Sequence, residues 1–214
     1  MHLNKTEQIK PRKTFRVIGL TGGIATGKSS VALFLEERCL PVIDADALSR
    51  DAVKPGSPCL ARIVDTFGCD VLSADGTLDR KRLGVIVFSD PEKRKLLEEI
   101  IHPKIRRLAR ECIAAAVAEG QTVVFYMAPL LIEAGAKDLV DEIWVVTASP
   151  EVQLERVMSR DGISRAQAER IIAAQMPLKD KERFGQIVID NSGTSDDLIN
   201  RLTAILDKEI GEKL

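Results

Sequence analysis

Residues 22–29, Gly-Gly-Ile-Ala-Thr-Gly-Lys-Ser, fill every constrained position of the pattern G-x-x-x-x-G-K-[ST]. Few folds accommodate it, because of what flanks it. An apolar, strand-like run over residues 15–20 precedes it, and an amphipathic stretch over 29–38 follows. A strand that turns sharply into a helix presents main-chain N–H groups at the positive end of that helix, and glycines let the backbone curl around an anion. The candidate contacts to a bound polyphosphate are Gly23, Ala25, Thr26, Gly27, Lys28, Ser29 and Ser30. Lys28 is expected to reach the β- and γ-phosphates, and Ser29 is the candidate metal ligand.

The rest of the chain fits an α/β fold. Apolar runs at 41–43, 122–127, 142–147 and 186–189 read as further strands, separated by helical patterns. Short buried strands alternating with helices predict a parallel sheet covered on both faces, a three-layer P-loop NTPase-type fold. The predicted core comprises residues 15–46, 121–150 and 185–214. The gap over 47–120 is too long for one crossover and reads as a helical insert, the candidate substrate sub-domain. Residues 151–184 read as a helical lid. Within the insert, Ser89 and Glu92 have capping-box spacing, and Asp90 with Pro91 at the first helical position is the alternative. Pro103 is expected to open a second helix that stops at Gly120. Ser149 and Ser164 are expected to cap the two lid helices. Residues 1–14 are polar and read as a disordered extension.

Composition removes several function classes. The net charge of −1 offers no general attraction to nucleic acid, and 4% aromatic content argues against recognition by base stacking. The longest uncharged apolar run, 122–132, falls well short of the ~20 residues of a membrane span. Cys39, Cys59, Cys69 and Cys112 show no C-x-x-C spacing and read as free thiols of a cytoplasmic protein. A guanine-reading N-K-x-D is missing, since Asn4-Lys5 precedes the first strand and lacks the aspartate.

Asp44 and Asp46 follow the second strand, so in a parallel sheet they face the same crevice as the loop. Phosphoryl transfer to an alcohol needs a carboxylate to orient or accept the hydroxyl proton, and a helix cap is the competing role for either aspartate. Arg156, Arg160, Arg165, Arg170, Lys179, Lys181 and Arg183 lie in the lid segment, and a solvated helical face is the plain reading of that run. Closing over a triphosphate is the functional one, with Arg160 favoured. His102 reads either as a residue at a helix junction or as a donor to a phosphate-bearing substrate. The third strand ends at Met127, not in the aspartate of a standard Walker B strand. Metal support then falls to Ser29, water and Asp44, Asp46 or Glu133.

Taken in order, Gly19 to Ser29, Val42 to Asp46, Asp75-Gly76, His102-Pro103, Pro129-Leu130-Leu131, Gln153 to Arg160, Gln175 and Asn191-Ser192-Gly193 resemble the dephospho-coenzyme A kinase family over nearly the full chain. The resemblance implies ATP-dependent phosphorylation of the ribose 3′-hydroxyl of dephospho-coenzyme A, with Mg²⁺. It implies Asp46 as base, Arg160 as a lid arginine and Asn191 to Gly193 as part of the adenine pocket. Asp44, His102, Pro129 and Leu130 become candidate substrate contacts. It also implies a small-molecule substrate, no nucleic-acid or membrane partner, and a monomer or weak homo-oligomer. Ala25-Thr26 departs from the Gly-Ser more usual in this loop, and an alanine there is tolerated if the position needs no positive φ. A nucleoside or nucleoside-monophosphate kinase, and a nucleotide-dependent regulatory module, are the alternative readings of the same core.

Overall fold

The computed structural model describes residues 14–211, so the expected extension lies, apart from Thr14, outside the described residues. Five parallel strands form one sheet in the order β2-β3-β1-β4-β5. They are β1 (Arg16–Gly22), β2 (Val42–Asp44), β3 (Val123–Met127), β4 (Glu142–Thr147) and β5 (Ile187–Asp190). The inner strands β1, β3 and β4 are short and apolar because both of their faces are covered. On one face Ile18, Leu20, Phe125, Trp144 and Val146 meet α1 (Lys28–Glu36) and α9 (Ser195–Glu209). The intervening residues Val17, Val124, Tyr126, Ile143 and Val145 point to the other face, with Ala109, Ile113 and Ala116 of α5 (Pro91–Ala118). The period-two alternation of the strands thus feeds two cores.

Parallel strands bring all their C-terminal ends to one edge. Gly22, Asp44, Met127, Thr147 and Asp190 end the five strands. β1 is central, flanked by β3 and β4, so the chain's crossovers diverge on either side of it. That divergence leaves the crevice in which α/β folds place ligands. β1 runs two residues beyond its expected end, because Thr21 and Gly22 pair with Val145 and Val146 of β4.

Between β2 and β3 come α2 (Ala45–Ala52), α3 (Pro58–Phe67), α4 (Arg80–Phe88) and α5. Ala52, Val53, Ile63, Val71, Leu83, Val87 and Ile100 give this segment an apolar cluster of its own. Asp90 caps α5, accepting hydrogen bonds from the Glu92 and Lys93 amides, with Pro91 in the first turn. The expected break at Pro103 does not occur: α5 is one helix of 28 residues with Pro103 inside it. Proline there removes one intrahelical bond and crowds the preceding turn. The helix persists because it packs in both directions, Ile100 and Ile101 into the cluster before the proline and Ala109 to Ala116 onto the sheet after it. His102 is consequently a mid-helix residue, not a junction residue.

After β4 come α6 (Pro150–Asp161), α7 (Arg165–Ala173) and the short α8 (Leu178–Glu182). Ser149 caps α6 and Ser164 caps α7, the latter with a full capping box to Gln167. The four cysteines are free, with Cys59 buried and the others exposed. Among the described residues, no helix is long and apolar enough to cross a membrane.

Candidate active site

The loop between β1 and α1 is held in shape from several directions. Thr26 Oγ1 donates to the Gly23 carbonyl at 3.0 Å, and Asn191 Nδ2 donates to the Thr26 carbonyl at 2.9 Å. Gln153 of α6 donates to the Ile24 carbonyl at 2.8 Å, and Gln175 accepts from the Ile24 amide at 2.8 Å. Ile24 and Ala25 pack on Leu154, Val157 and Ala168 of α6 and α7. Gly27 has φ 93°, and a β-carbon added there would collide with Asn191 Nδ2. Only glycine fits that position.

Ala25 departs from expectation. Its φ is 56°, so the position does require the left-handed conformation, at a cost to alanine. Ala25→Gly is therefore expected to stabilise the protein by about 0.5–1 kcal/mol, the left-handed penalty less the added flexibility of glycine. A thermal melt should show Tm rising by roughly 1–4 °C at that gain; an unchanged or lower Tm would mean the alanine is unstrained.

Lys28 is buried, and its ammonium donates to the carbonyls of Gly22 at 3.0 Å and Gly23 at 2.6 Å. Burial is the main reason its pKa falls from 10.5 to about 8, and the Lys181 cation adds to the fall. Asp46 opposes it, and Arg160 reinforces it. Ser29 and Ser30 open to solvent at the first turn of α1.

The two aspartates divide their roles. Asp44 caps α2, accepting the Asp46 amide at 2.8 Å, and its other oxygen lies 3.8 Å from Arg50. Asp46, two residues on, lines a cavity of about 290 Å³. Partial loss of water around its carboxyl raises the pKa first, and the neighbouring Asp44 charge raises it further. Lys28 pulls it the other way, so base candidate and phosphate lysine feel each other's charge. The cavity brings Asp46 together with His102, Pro129 and Leu130, all expected at the substrate site, and adds Tyr126 and Arg106. Asp44 does not line it.

A second cavity, of about 220 Å³, gathers Gly27, Ser30, Asn191 and Gly193 with Arg156. Arg156 Nη1 is buried without a hydrogen-bond partner. Arg160, favoured from the sequence, instead grips Asp161 through two bonds of 2.7 and 2.9 Å and is exposed. Four residues put both arginines on one side of α6, so spacing alone did not separate them. Glu133, a candidate metal carboxylate, is paired with Lys181 at 2.8 Å.

Residues 16–197 match the family model described as dephospho-CoA kinase. A dephospho-CoA kinase from Geobacter metallireducens is 52% identical over 194 residues, covering 91% of this chain and 96% of its own. One from Geobacter sulfurreducens is 53% identical over 189 residues, covering 88% and 96%. A dephospho-CoA kinase structure from Campylobacter jejuni superposes with TM-score 0.71 at 26% identity, over 92% of this chain and 98% of that one. A shikimate kinase from Acinetobacter baumannii, at 14% identity and TM-score 0.53, covers 94% of this chain and 97% of its own and shares the fold alone. A family model matched over residues 16–197 and relatives alike over about nine-tenths of the length converge: the chain belongs to the dephospho-CoA kinase family.

Proposed function

We propose that the chain transfers the γ-phosphate of ATP to the ribose 3′-hydroxyl of dephospho-CoA, the last step of coenzyme A synthesis, with Asp46 as the base. The observation that carries the reading is the position of Asp46. It lines the cavity of about 290 Å³ and is also close enough to Lys28 for the two charges to interact. The triphosphate is read as lying on the amides of the 22–30 loop, with Lys28 leaving its two carbonyl partners to meet the β- and γ-phosphates. The base of the nucleotide is read into the cavity of Gly27, Asn191 and Gly193, with the unpaired Nη1 of Arg156 as its cation. Asp46 takes or orients the hydroxyl proton, and its raised pKa suits that task. Held in line, the oxygen attacks phosphorus while Lys28 neutralises the spreading charge. Arg160 contributes only if α6 turns it away from Asp161.

Mg²⁺ fits the residues present. Among the described residues no three acidic, His or Cys side chains gather into a cage. Magnesium commonly takes one or two protein oxygens, with phosphate and water completing the shell. Ser29 would supply one oxygen, with Asp46 or Asp44 reached through water. When bound, the ion screens charge on the transferring phosphate.

On this reading the helices of 47–120 form the substrate sub-domain and those of 151–184 the lid. The enzyme acts in the cytoplasm as a monomer or weak homo-oligomer, without nucleic acid. A coupled assay of ADP release, run with dephospho-CoA and with a panel of nucleosides and nucleoside monophosphates, tests it. Turnover stimulated by dephospho-CoA above all others is expected. Preference for a nucleotide acceptor would replace the substrate, and ATP turnover unaffected by any acceptor would favour a regulatory module.

A further inference from the structure

Lys181 is a lysine with no exposed side-chain surface. Its ammonium donates to the Pro129 carbonyl at 2.7 Å and pairs with Glu133 at 2.8 Å. The same carbonyl accepts Thr21 Oγ1 at 3.3 Å, from the strand residue before the phosphate loop. Three segments therefore meet at one oxygen: the end of β1, the turn after β3, and α8. The next residue along, Glu182, accepts Thr147 Oγ1 at 2.8 Å, which fixes α8 to the end of β4 as well.

The turn so held forms a wall of the larger cavity. Pro129 and Leu130 line it together with Asp46 and His102. Burying the Lys181 ammonium costs its hydration, and Glu133 keeps part of its carboxylate in water, so stability is a poor account of this pair. What the pair provides is a defined position. A carbonyl that accepts two bonds and a carboxylate bonded to the same ammonium leave the turn little freedom.

We propose that Lys181 is a positioning residue of the acceptor pocket, clamping the Pro129–Glu133 turn from α8 so that the part of the lining formed by Pro129 and Leu130 is set by the segment that returns from the lid helices. The proposal rests on the reading of this cavity as the dephospho-CoA site. It assigns Lys181 no contact with substrate. Acceptor binding and the placement of α8 become coupled, because neither the turn nor α8 moves without the other.

The test uses the full chain and separates the two substrates. In Lys181→Met, the KM for dephospho-CoA is expected to rise at least about tenfold, the scale of one lost charge-assisted bond, with the KM for ATP changing by less than about threefold. The double variant Lys181→Met/Glu133→Leu removes the buried ammonium together with its partly exposed carboxylate partner. It is expected to recover the melting temperature but to keep the raised acceptor KM, a pattern that a merely structural role would not give. Glu133→Gln, which keeps the shape and lowers only the charge, is expected to move the acceptor KM the same way by a smaller factor. Should Lys181→Met fail to fold, these two variants carry the same comparison. An acceptor KM unchanged in the variants that fold, or restored along with stability in the double variant, overturns the proposal. Wild-type turnover of dephospho-CoA is measured first: its failure brings down the reading of the cavity and the proposal together, whereas normal wild-type turnover with unmoved variant KM values brings down the proposal alone.

Discussion

Lys28→Met is expected to lower kcat by about 10³-fold, the scale of losing a preorganised charge stabiliser of the transition state, or roughly 4 kcal/mol. Methionine keeps the length of the side chain and removes its charge, so the fold should survive. Of the two carbonyls it leaves, that of Gly23 keeps its bond from Thr26 Oγ1. Steady-state kinetics beside a thermal melt checks both halves. A variant with the wild-type rate would remove the loop lysine from the chemistry. The same residue sets a pH dependence. With its pKa near 8 in the free protein, Lys28 loses its charge as pH rises through 8, and nucleotide affinity should fall above that point. A bound triphosphate favours the ammonium, so nucleotide binding near pH 8 should take up a proton. The stability sign is opposite: an unfolded lysine titrates near ~10.4, so below pH 8 both states are charged and burial costs stability. That cost fades as pH rises from 8 toward 10.5, a trend the methionine variant should lack.

Asp46→Asn should lower kcat by at least about 10²-fold with little change in either KM, as for loss of a proton acceptor. Asparagine fills the same space and leaves Asp44 its cap, since that bond uses the backbone amide of residue 46. The wild-type acid limb should lie above the ordinary carboxylate range, because partial burial and Asp44 both raise the Asp46 pKa. A change confined to the acceptor KM would instead make Asp46 a binding residue.

The local rules were legible in the chain. The strand-loop-helix context of Gly22 to Ser29, the caps at Ser149 and Ser164, and the β4 span over 142–147 all follow from near-neighbour chemistry. The misjudged features depend on distant partners. Pro103 looked like a helix start because its local cost is large, and only packing at both ends of α5 outweighs it. Ala25 looked compatible with an ordinary backbone, yet its φ is positive in a loop held at Ile24 by Gln153 and Gln175, far along the chain. Asp44 and Asp46 were indistinguishable as a D-x-D pair until α2 began at Ala45 and made the first the cap.

The sequence by itself determined the fold class, the phosphate loop and the family, because each is carried by residues adjacent in the chain or by an ordered series of such groups. The tertiary structure alone decided which side chains meet. It put Arg156 in a cavity with Gly27 and bonded Arg160 to Asp161, engaged Glu133 with a lysine 48 positions away, and put His102 and Asp46 in the lining of one cavity. Those pairings are fixed by long-range packing and by the exclusion of water around a few charges. Neither leaves a mark in local spacing.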